Sequence, residues 1–430
     1  MHKLLTDSPS RKLLLLGNEA IARGAVEAGV ALASTYPGTP SSEISLNFFQ
    51  ISRETDLYFE YSTNEKVALE VAAAGANAGL RSMCVMKHVG VNVAADALMT
   101  LAYVGVKAGL VIISADDPAM FSSQNEQDNR YYGLMSGLPV VEPTSVAEAR
   151  EMVPFAFDLS EELGLPVIFR TTTRINHSTA PVILGDIRPR VTGGHFDRDP
   201  FNYVTVPAVS RKLHARLLET IKRAEAISEI CQYNTVDGDG TWGIVTNGVS
   251  HAYVSDAIRD LRIADRTRLM RIGMSHPMPA EKIRAFLSGC DRVLVVEEGE
   301  PYMETAIRSI AQGAGLTLPI RGKGEDLFSR LYEFDPALVR RTIAAYFGIA
   351  YTPPPAPDLS DLPEIPQRPP NLCAGCSHRA TYYAVKTAAE GLDVIHPTDI
   401  GCYTLGFLPP LSMGDFLLCM GSSVGTSCGF

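Results

Sequence analysis

Four stretches of this chain place reactive side chains where an apolar run gives way to a loop or a helical pattern. In YSTNEKVALEVAAAGANAG, residues 61–79, Glu65 opens an Ala/Gly-rich helix. A carboxylate there is favoured by the helix dipole, with Thr63 or Asn64 as the cap. Buried, the same carboxylate does general acid–base work. In STYPGTPSSEI, residues 34–44, Pro37 and Pro40 flank Gly38-Thr39. The prolines fix the backbone, so the Thr39 hydroxyl is presented with little freedom left to lose. MKHVGVN, residues 86–92, is another strand-to-helix turn and carries His88. SADDPAMFSSQNEQDNR, residues 114–130, runs seventeen residues without periodicity, the mark of a functional loop. It ends on Arg130, whose guanidinium can grip a carboxylate in two-pronged fashion. Each stretch has a bland counterpart: a cap, a rigid turn, a solvated loop. Their joint occurrence on four strand ends favours function.

A different chemistry gathers late in the chain. Cys373-Ala-Gly-Cys376-Ser-His378 is a half-site for zinc, an iron–sulfur cluster or a dithiol pair, and Gly375 lets the backbone turn both sulfurs toward one ion. Cys402, in Asp399-Ile-Gly-Cys, adds a third candidate ligand; Cys419 or Cys428 could supply a fourth, and a zinc site could use His378. Cys84, Cys231 and Cys290 stand singly among apolar or helical residues and read as buried thiols. Gly421-Ser-Ser423-Val-Gly425 mimics a hydrolase elbow, but too few residues follow it for the acid and histidine. The chain has no G-x-G-x-x-G fingerprint and no P-loop, so nicotinamide and ATP chemistry lack support. Glu297, Glu298 and Glu300 in VVEEGEPYMET read as a solvated turn and helix start.

The elements that must hold these residues alternate. Apolar runs at Lys12–Leu16, Leu32–Thr35, Leu57–Tyr61, Ser82–Met86, Leu110–Ser114, Pro139–Glu142 and Pro166–Arg170 are separated by helical patterns. That alternation predicts an α/β fold with a parallel sheet covered on both faces, and such sheets bind ligands at their carboxyl edge. Residues 1–183 form this first domain. Residues 184–240 are irregular apart from a basic helix near 211–227. Residues 241–350 repeat the alternation in a smaller α/β unit. Residues 351–370 are a Pro-rich tether, and residues 371–430 begin a third α/β domain with two strands. The net charge of -10, from 48 acidic and 38 basic side chains, argues against nucleic acid. The longest leucine run, Leu13–Leu16, is far too short to span a membrane, and the N-terminal residues lack a signal peptide's apolar core. A cytoplasmic protein is expected.

YPGTPSSEI, STNEKVALEVAAAGANAGLRS, MKHVGVNVAADAL, SSQNEQDNRYYG, NLCAGCSHRATYYA and DIGCYTLG stand in one order along nearly the whole chain. Together they resemble the thiamine-diphosphate-dependent 2-oxoacid:ferredoxin oxidoreductases. KHVGVN, SQNEQDNR and CAGCSHR point to the alpha (large) subunits of the indolepyruvate branch. The resemblance implies a thiamine-diphosphate-type fold of doubly wound parallel sheets with a smaller central α/β domain. It implies that Glu65 hydrogen-bonds the cofactor's aminopyrimidine nitrogen and that Thr39, His88 and Arg130 meet the 2-oxoacid, Arg130 through the carboxylate. Gly375, Gly401 and Cys402 would touch the cofactor, and Cys373, Cys376 and Cys402 would hold a [4Fe-4S] cluster. The implied reaction is CoA-acylating oxidative decarboxylation of an aryl 2-oxoacid, with Mg2+, iron–sulfur clusters, coenzyme A, ferredoxin and a smaller beta subunit in a hetero-oligomer. Pyruvate, 2-oxoglutarate or phenylglyoxylate are alternative substrates, and a zinc-stabilised assembly module is the non-enzyme alternative. The family's Gly-Asp motif for Mg2+ and diphosphate has no counterpart in the right context, and its ferredoxin-like Cys runs are missing. The chain is therefore expected to be an N-terminal portion of a longer subunit, inactive alone.

Overall fold

A computed structural model describes residues 2–324, 327–355, 357–366 and 368–430. The chain divides into two compact units, Met1–Pro353 and Pro354–Phe430. The first holds fourteen strands among its described residues. They are β1 (Lys12–Leu16), β2 (Leu32–Thr35), β3 (Tyr58–Tyr61), β4 (Ser82–Lys87), β5 (Leu110–Asp116), β6 (Val140–Val141) and β7 (Val167–Thr172). Next come β8 (Thr179–Ile183), β9 (Asn234–Asp237), β10 (Trp242–Thr246), β11 (Thr267–Ile272), β12 (Met274–His276), β13 (Arg292–Val296) and β14 (Ile320–Arg321).

Seven strands make the larger sheet, in the order β12-β6-β7-β5-β4-β2-β3, parallel except for β12. β4 and β5 are buried at every position, as strands covered on both faces must be. Of the expected strands, Lys12–Leu16 leaves this sheet: β1 pairs antiparallel with β8 as a separate two-stranded ribbon. The smaller sheet, β14-β13-β10-β11-β9, is parallel apart from β9. Residues 184–240, expected as irregular apart from a basic helix near 211–227, contain that helix over Pro207–Ile230 and also contribute β9 to that sheet. Residues 241–350 are not confined to the smaller sheet, because β12 adds the edge strand of the larger one.

The helices that matter for the site are α1 (Gly17–Glu27), α2 (Ser42–Ser52), α3 (Glu65–Asn77), α4 (His88–Val104), α5 (Arg130–Ser136) and α6 (Val146–Leu163). α3 starts where the Asn64 side chain accepts the Val67 amide. It lies close on the sheet because Gly75 has no side chain: a Cβ there would sit 2.7 Å from Ser82 Oγ and 2.8 Å from Leu32 Cδ1. The large-sheet core includes Phe48, Phe157, Phe169, Ile112 and Leu110, all buried, each contributing roughly 1.5–3 kcal/mol. Two smaller cores flank the second sheet, around Phe328, Phe334 and Phe347 on one face and Phe286, Met303 and Ile307 on the other.

In the second unit, the expected strands around 393–402 and 415–420 do not form among the described residues. Pro397 and Phe416 make an isolated bridge, and the regular elements are helices at Ser377–Ala388 and Ser422–Gly429 and a 3-10 helix at Cys402–Phe407.

Candidate functional site

The parallel registers bring Thr35, Tyr61, Lys87 and Asp116 to one edge of the larger sheet, so the turns leaving β2, β3, β4 and β5 share a rim. Such a carboxyl edge is where α/β sheets bind ligands. The β2 turn is fixed from within and from α1. Thr35 Oγ1 donates to Val85 O at 2.8 Å, Ser41 Oγ donates to Gly38 O at 2.9 Å, and Asn18 Nδ2 donates to Pro40 O at 2.7 Å. The Thr39–Pro40 peptide is cis, and Thr39 itself is exposed.

Glu65, the first residue of α3, is 2% exposed. Burial raises its carboxyl above the ordinary value, opposed by its own backbone amide and by the charge of Lys87. No side-chain hydrogen-bond partner for this carboxylate is found among the described residues. Its close neighbour is Gly90, in the first turn of α4, where a Cβ would lie 2.6 Å from both Glu65 Cγ and Oε1. Only a hydrogen fits there. Lys87, the last residue of β4, runs its stem past Gly38, where a Cβ would meet Lys87 Cδ at 2.8 Å. Its ammonium donates to Ser122 O at 2.7 Å. Glu65, Gly90, Lys87 and the Gly38-Thr39 turn therefore form one cluster, with Ser122 and Asp117 beside it.

Arg130 lies elsewhere in the chemistry. Its side chain is fully buried, and four of its five N–H groups have partners among the described residues: Nε to Asp128 at 2.9 and 3.1 Å, Nη1 to Glu297 Oε2 at 2.6 Å, and Nη2 to Asp128, Glu298 O and Glu300 O. That pairing favours a structural role over the expected contact with a substrate carboxylate. Arg170 joins it, donating to Asp116 Oδ2 at 2.7 Å and Glu142 Oε2 at 2.5 Å, and Asn247 donates to Glu142 Oε1 at 3.0 Å. This network ties the two sheets of the first unit together. Glu297 and Glu298, expected in a solvated turn, are buried parts of it. Glu297 accepts the Met303 and Glu304 amides at 2.9 Å each, and Glu298 accepts the Phe334 amide at 2.8 Å. Burial alone would raise the Asp128 carboxyl, yet Arg130 and Arg170 hold it well below the usual range. Burial prevails at Glu298, pushing its carboxyl up to about 7.

His88 is fully buried, with Nε2 3.1 Å from Asn125 O, and its backbone oxygen accepts from Gln127 and Asn129, so it anchors the 117–129 loop. Its buried Nδ1 has no hydrogen-bond partner among the described residues.

The family described as pyruvate flavodoxin/ferredoxin oxidoreductase, thiamine diphosphate-binding, matches residues 23–199, which hold the whole cluster. The chain is 46% identical to indolepyruvate oxidoreductase subunit IorA of Methanothermobacter thermautotrophicus, over all of this chain and 70% of that protein. It is 47% identical to its counterpart in Methanothermobacter marburgensis, over 97% of this chain and 68% of that one. The chain belongs to the IorA family of indolepyruvate oxidoreductase subunits. A 2-oxoglutarate:ferredoxin oxidoreductase from Magnetococcus marinus, solved with 2-oxoglutarate, coenzyme A and succinyl-CoA bound, shares the fold at a TM-score of 0.60. It is 15% identical, over 78% of this chain and 65% of that chain. No helix among the described residues is long and apolar enough to cross a membrane.

For an IorA-family chain, the Glu65 cluster fits a thiamine-type cofactor on its own geometry: a buried carboxylate with no side-chain partner, and a glycine leaving room beside it. The cysteines do not fit a cluster in the same way. Cys373 and Cys402 are exposed, Cys376 Sγ lies 3.6 Å from His378 Nδ1, and His378 stacks edge-on against Tyr403. Among the described residues no three His, Cys, Asp or Glu side chains converge as a metal site, so the expected ligand set of Cys373, Cys376 and Cys402 is not assembled. Gly375 and Gly401 both take positive φ, at 74° and 151°, in turns of this second unit. Lys87 and Gly90 are the site residues that sequence reasoning missed. Both stood in the MKHVGVN turn, but nothing local distinguishes a lysine at a strand end from a surface lysine.

Proposed function

We propose that this chain is the thiamine-diphosphate-binding large subunit of an oxidoreductase acting on an aryl 2-oxoacid, indolepyruvate. Its products are CO2 and the acyl-CoA, with electrons leaving to ferredoxin and a smaller subunit completing the assembly. What carries the reading is Glu65, a buried carboxylate at a sheet's carboxyl edge with no side-chain partner of its own among the described residues. The chemistry such a cofactor supplies is carbanion stabilisation at the carbon that loses CO2. Glu65 would hold an aminopyrimidine nitrogen, and its raised proton affinity lets the carboxyl share a proton there. Gly90 keeps the space beside that carboxyl open. Thr39, on its locked turn, offers a hydroxyl to the 2-oxoacid at the same rim. No described residues converge on a metal, so neither Mg2+ nor an iron–sulfur cluster is assigned to side chains here.

Replacing Glu65 by Gln in the intact complex removes the proton and keeps the shape. Decarboxylation of indolepyruvate should fall by about a hundredfold or more, the usual scale of an acid–base group, with the circular dichroism spectrum unchanged. Near-normal turnover would remove Glu65 from this role.

A further inference from the structure

Among the described residues the buried arginines are paired, and buried Lys87 is not. Arg23 donates to Glu27 at 2.7 Å, and Arg130 and Arg170 each bind two carboxylates at short range. Lys87 is 6% exposed, yet its ammonium forms no ion pair among the described residues. One proton goes to Ser122 O, and no other hydrogen bond from Nζ is found among those residues. The adjacent Asp117 is already occupied: Oδ2 accepts from the Ser122 amide at 2.9 Å and Ser123 Oγ at 2.6 Å, and Oδ1 accepts from Thr173 Oγ1 at 2.8 Å. Glu65 influences Lys87 through space but does not contact it as a salt bridge. An ammonium buried this way costs stability unless an anion arrives to meet it.

The stem of Lys87 is held against Gly38, the residue before Thr39, and its charge acts on Glu65. It therefore neighbours both the turn proposed to meet the 2-oxo group and the carboxylate proposed to hold the cofactor. A 2-oxoacid carries its carboxylate one bond from the reacting carbon, and the Arg130 guanidinium is already paired with Asp128 and Glu297. We propose that Lys87 binds the carboxylate of the 2-oxoacid substrate. The inference rests on the reading of the Glu65 cluster as a thiamine and 2-oxoacid pocket.

Calorimetric titration of the intact complex, with indolepyruvate in one series and thiamine diphosphate in another, separates the two claims. Lys87→Met keeps the stem against Gly38 and deletes the charge. It should weaken indolepyruvate by about tenfold or more, the scale of one lost charge-assisted hydrogen bond, while thiamine diphosphate shifts by no more than about threefold. Lys87→Gln, which can still donate to Ser122 O, repeats the test should the Met variant not fold. Unchanged indolepyruvate affinity in a folded variant overturns the Lys87 assignment, and the pocket reading stands as long as the wild type binds thiamine diphosphate. A wild type that binds indolepyruvate but no thiamine diphosphate overturns the pocket reading alone. A wild type that binds no indolepyruvate overturns both.

Discussion

Two of the groups of buried charges in the first unit differ in one respect. Around Arg130 and Arg170, five carboxylates (Asp116, Asp128, Glu142, Glu297 and Glu298) meet guanidinium or amide donors at hydrogen-bond distance. Around Glu65 and Lys87, a carboxylate and an ammonium lie near one another and neither satisfies the other. A completed network holds elements together, and removing one member strands the rest. An incomplete one is a place where a ligand's groups can finish the pairing. Burial and charge alone do not tell them apart; the count of satisfied donors does.

That contrast can be broken or sharpened by substitution. The largest effect should come from Arg130→Met, which leaves Asp128 and Glu297 without their cation. A loss of about 3–5 kcal/mol in denaturant-unfolding stability is expected. A variant of wild-type stability that loses only substrate affinity would return Arg130 to the site. Next is Glu298→Gln. Because the folded Glu298 carboxyl titrates near 7 and the unfolded one near 4.5, the folded protein binds more protons between those values. Stability from this group is complete below about pH 4.5 and is lost as pH rises toward 7, by about 3 kcal/mol at 1.36 kcal/mol per unit. The Gln variant, which still accepts the Phe334 amide, should lack that fall when melts are compared across the window. Equal slopes in both proteins would contradict it.

Gly90→Ala forces a methyl against Glu65 and should cost about 1–3 kcal/mol as overpacking, with a larger proportional loss of thiamine diphosphate affinity. If affinity is untouched, the Glu65 position is not the one that matters. The smallest effect belongs to Glu70→Ala, which removes the exposed Lys66–Glu70 pair at 2.6 Å and should change stability by about 0.5 kcal/mol or less. A drop of several kcal/mol there would show that exposed pairs in this helix count for more than their solvent screening allows.

The sequence made the large sheet legible because its parallel strands are continuous apolar runs, and β2 matches the expected Leu32–Thr35 residue for residue. The helix start at Glu65 was legible because it follows a strand. The pairing of Arg130 was not legible because its partners Glu297 and Glu298 lie more than 160 residues away, and no local pattern marks a glutamate that will be buried by a distant arginine. β12 was missed for a similar reason: three residues, MSH, carry too little periodicity to announce an edge strand. In residues 371–430 the apolar runs DVIHP and DFLLC suggested strands, but apart from the single Pro397–Phe416 bridge no described partner pairs with them.

The central claim is that the Glu65 cluster receives a thiamine cofactor while the Arg130 network serves the fold. The most direct test is thiamine diphosphate titration of Glu65→Gln in the intact complex, with a thermal melt of the ligand-free protein alongside. The account predicts affinity weakened by about tenfold or more and a melting temperature at or above that of the wild type, since a buried carboxyl without a side-chain partner is replaced by a neutral amide. Unchanged affinity, or a large fall in melting temperature with affinity intact, would contradict it.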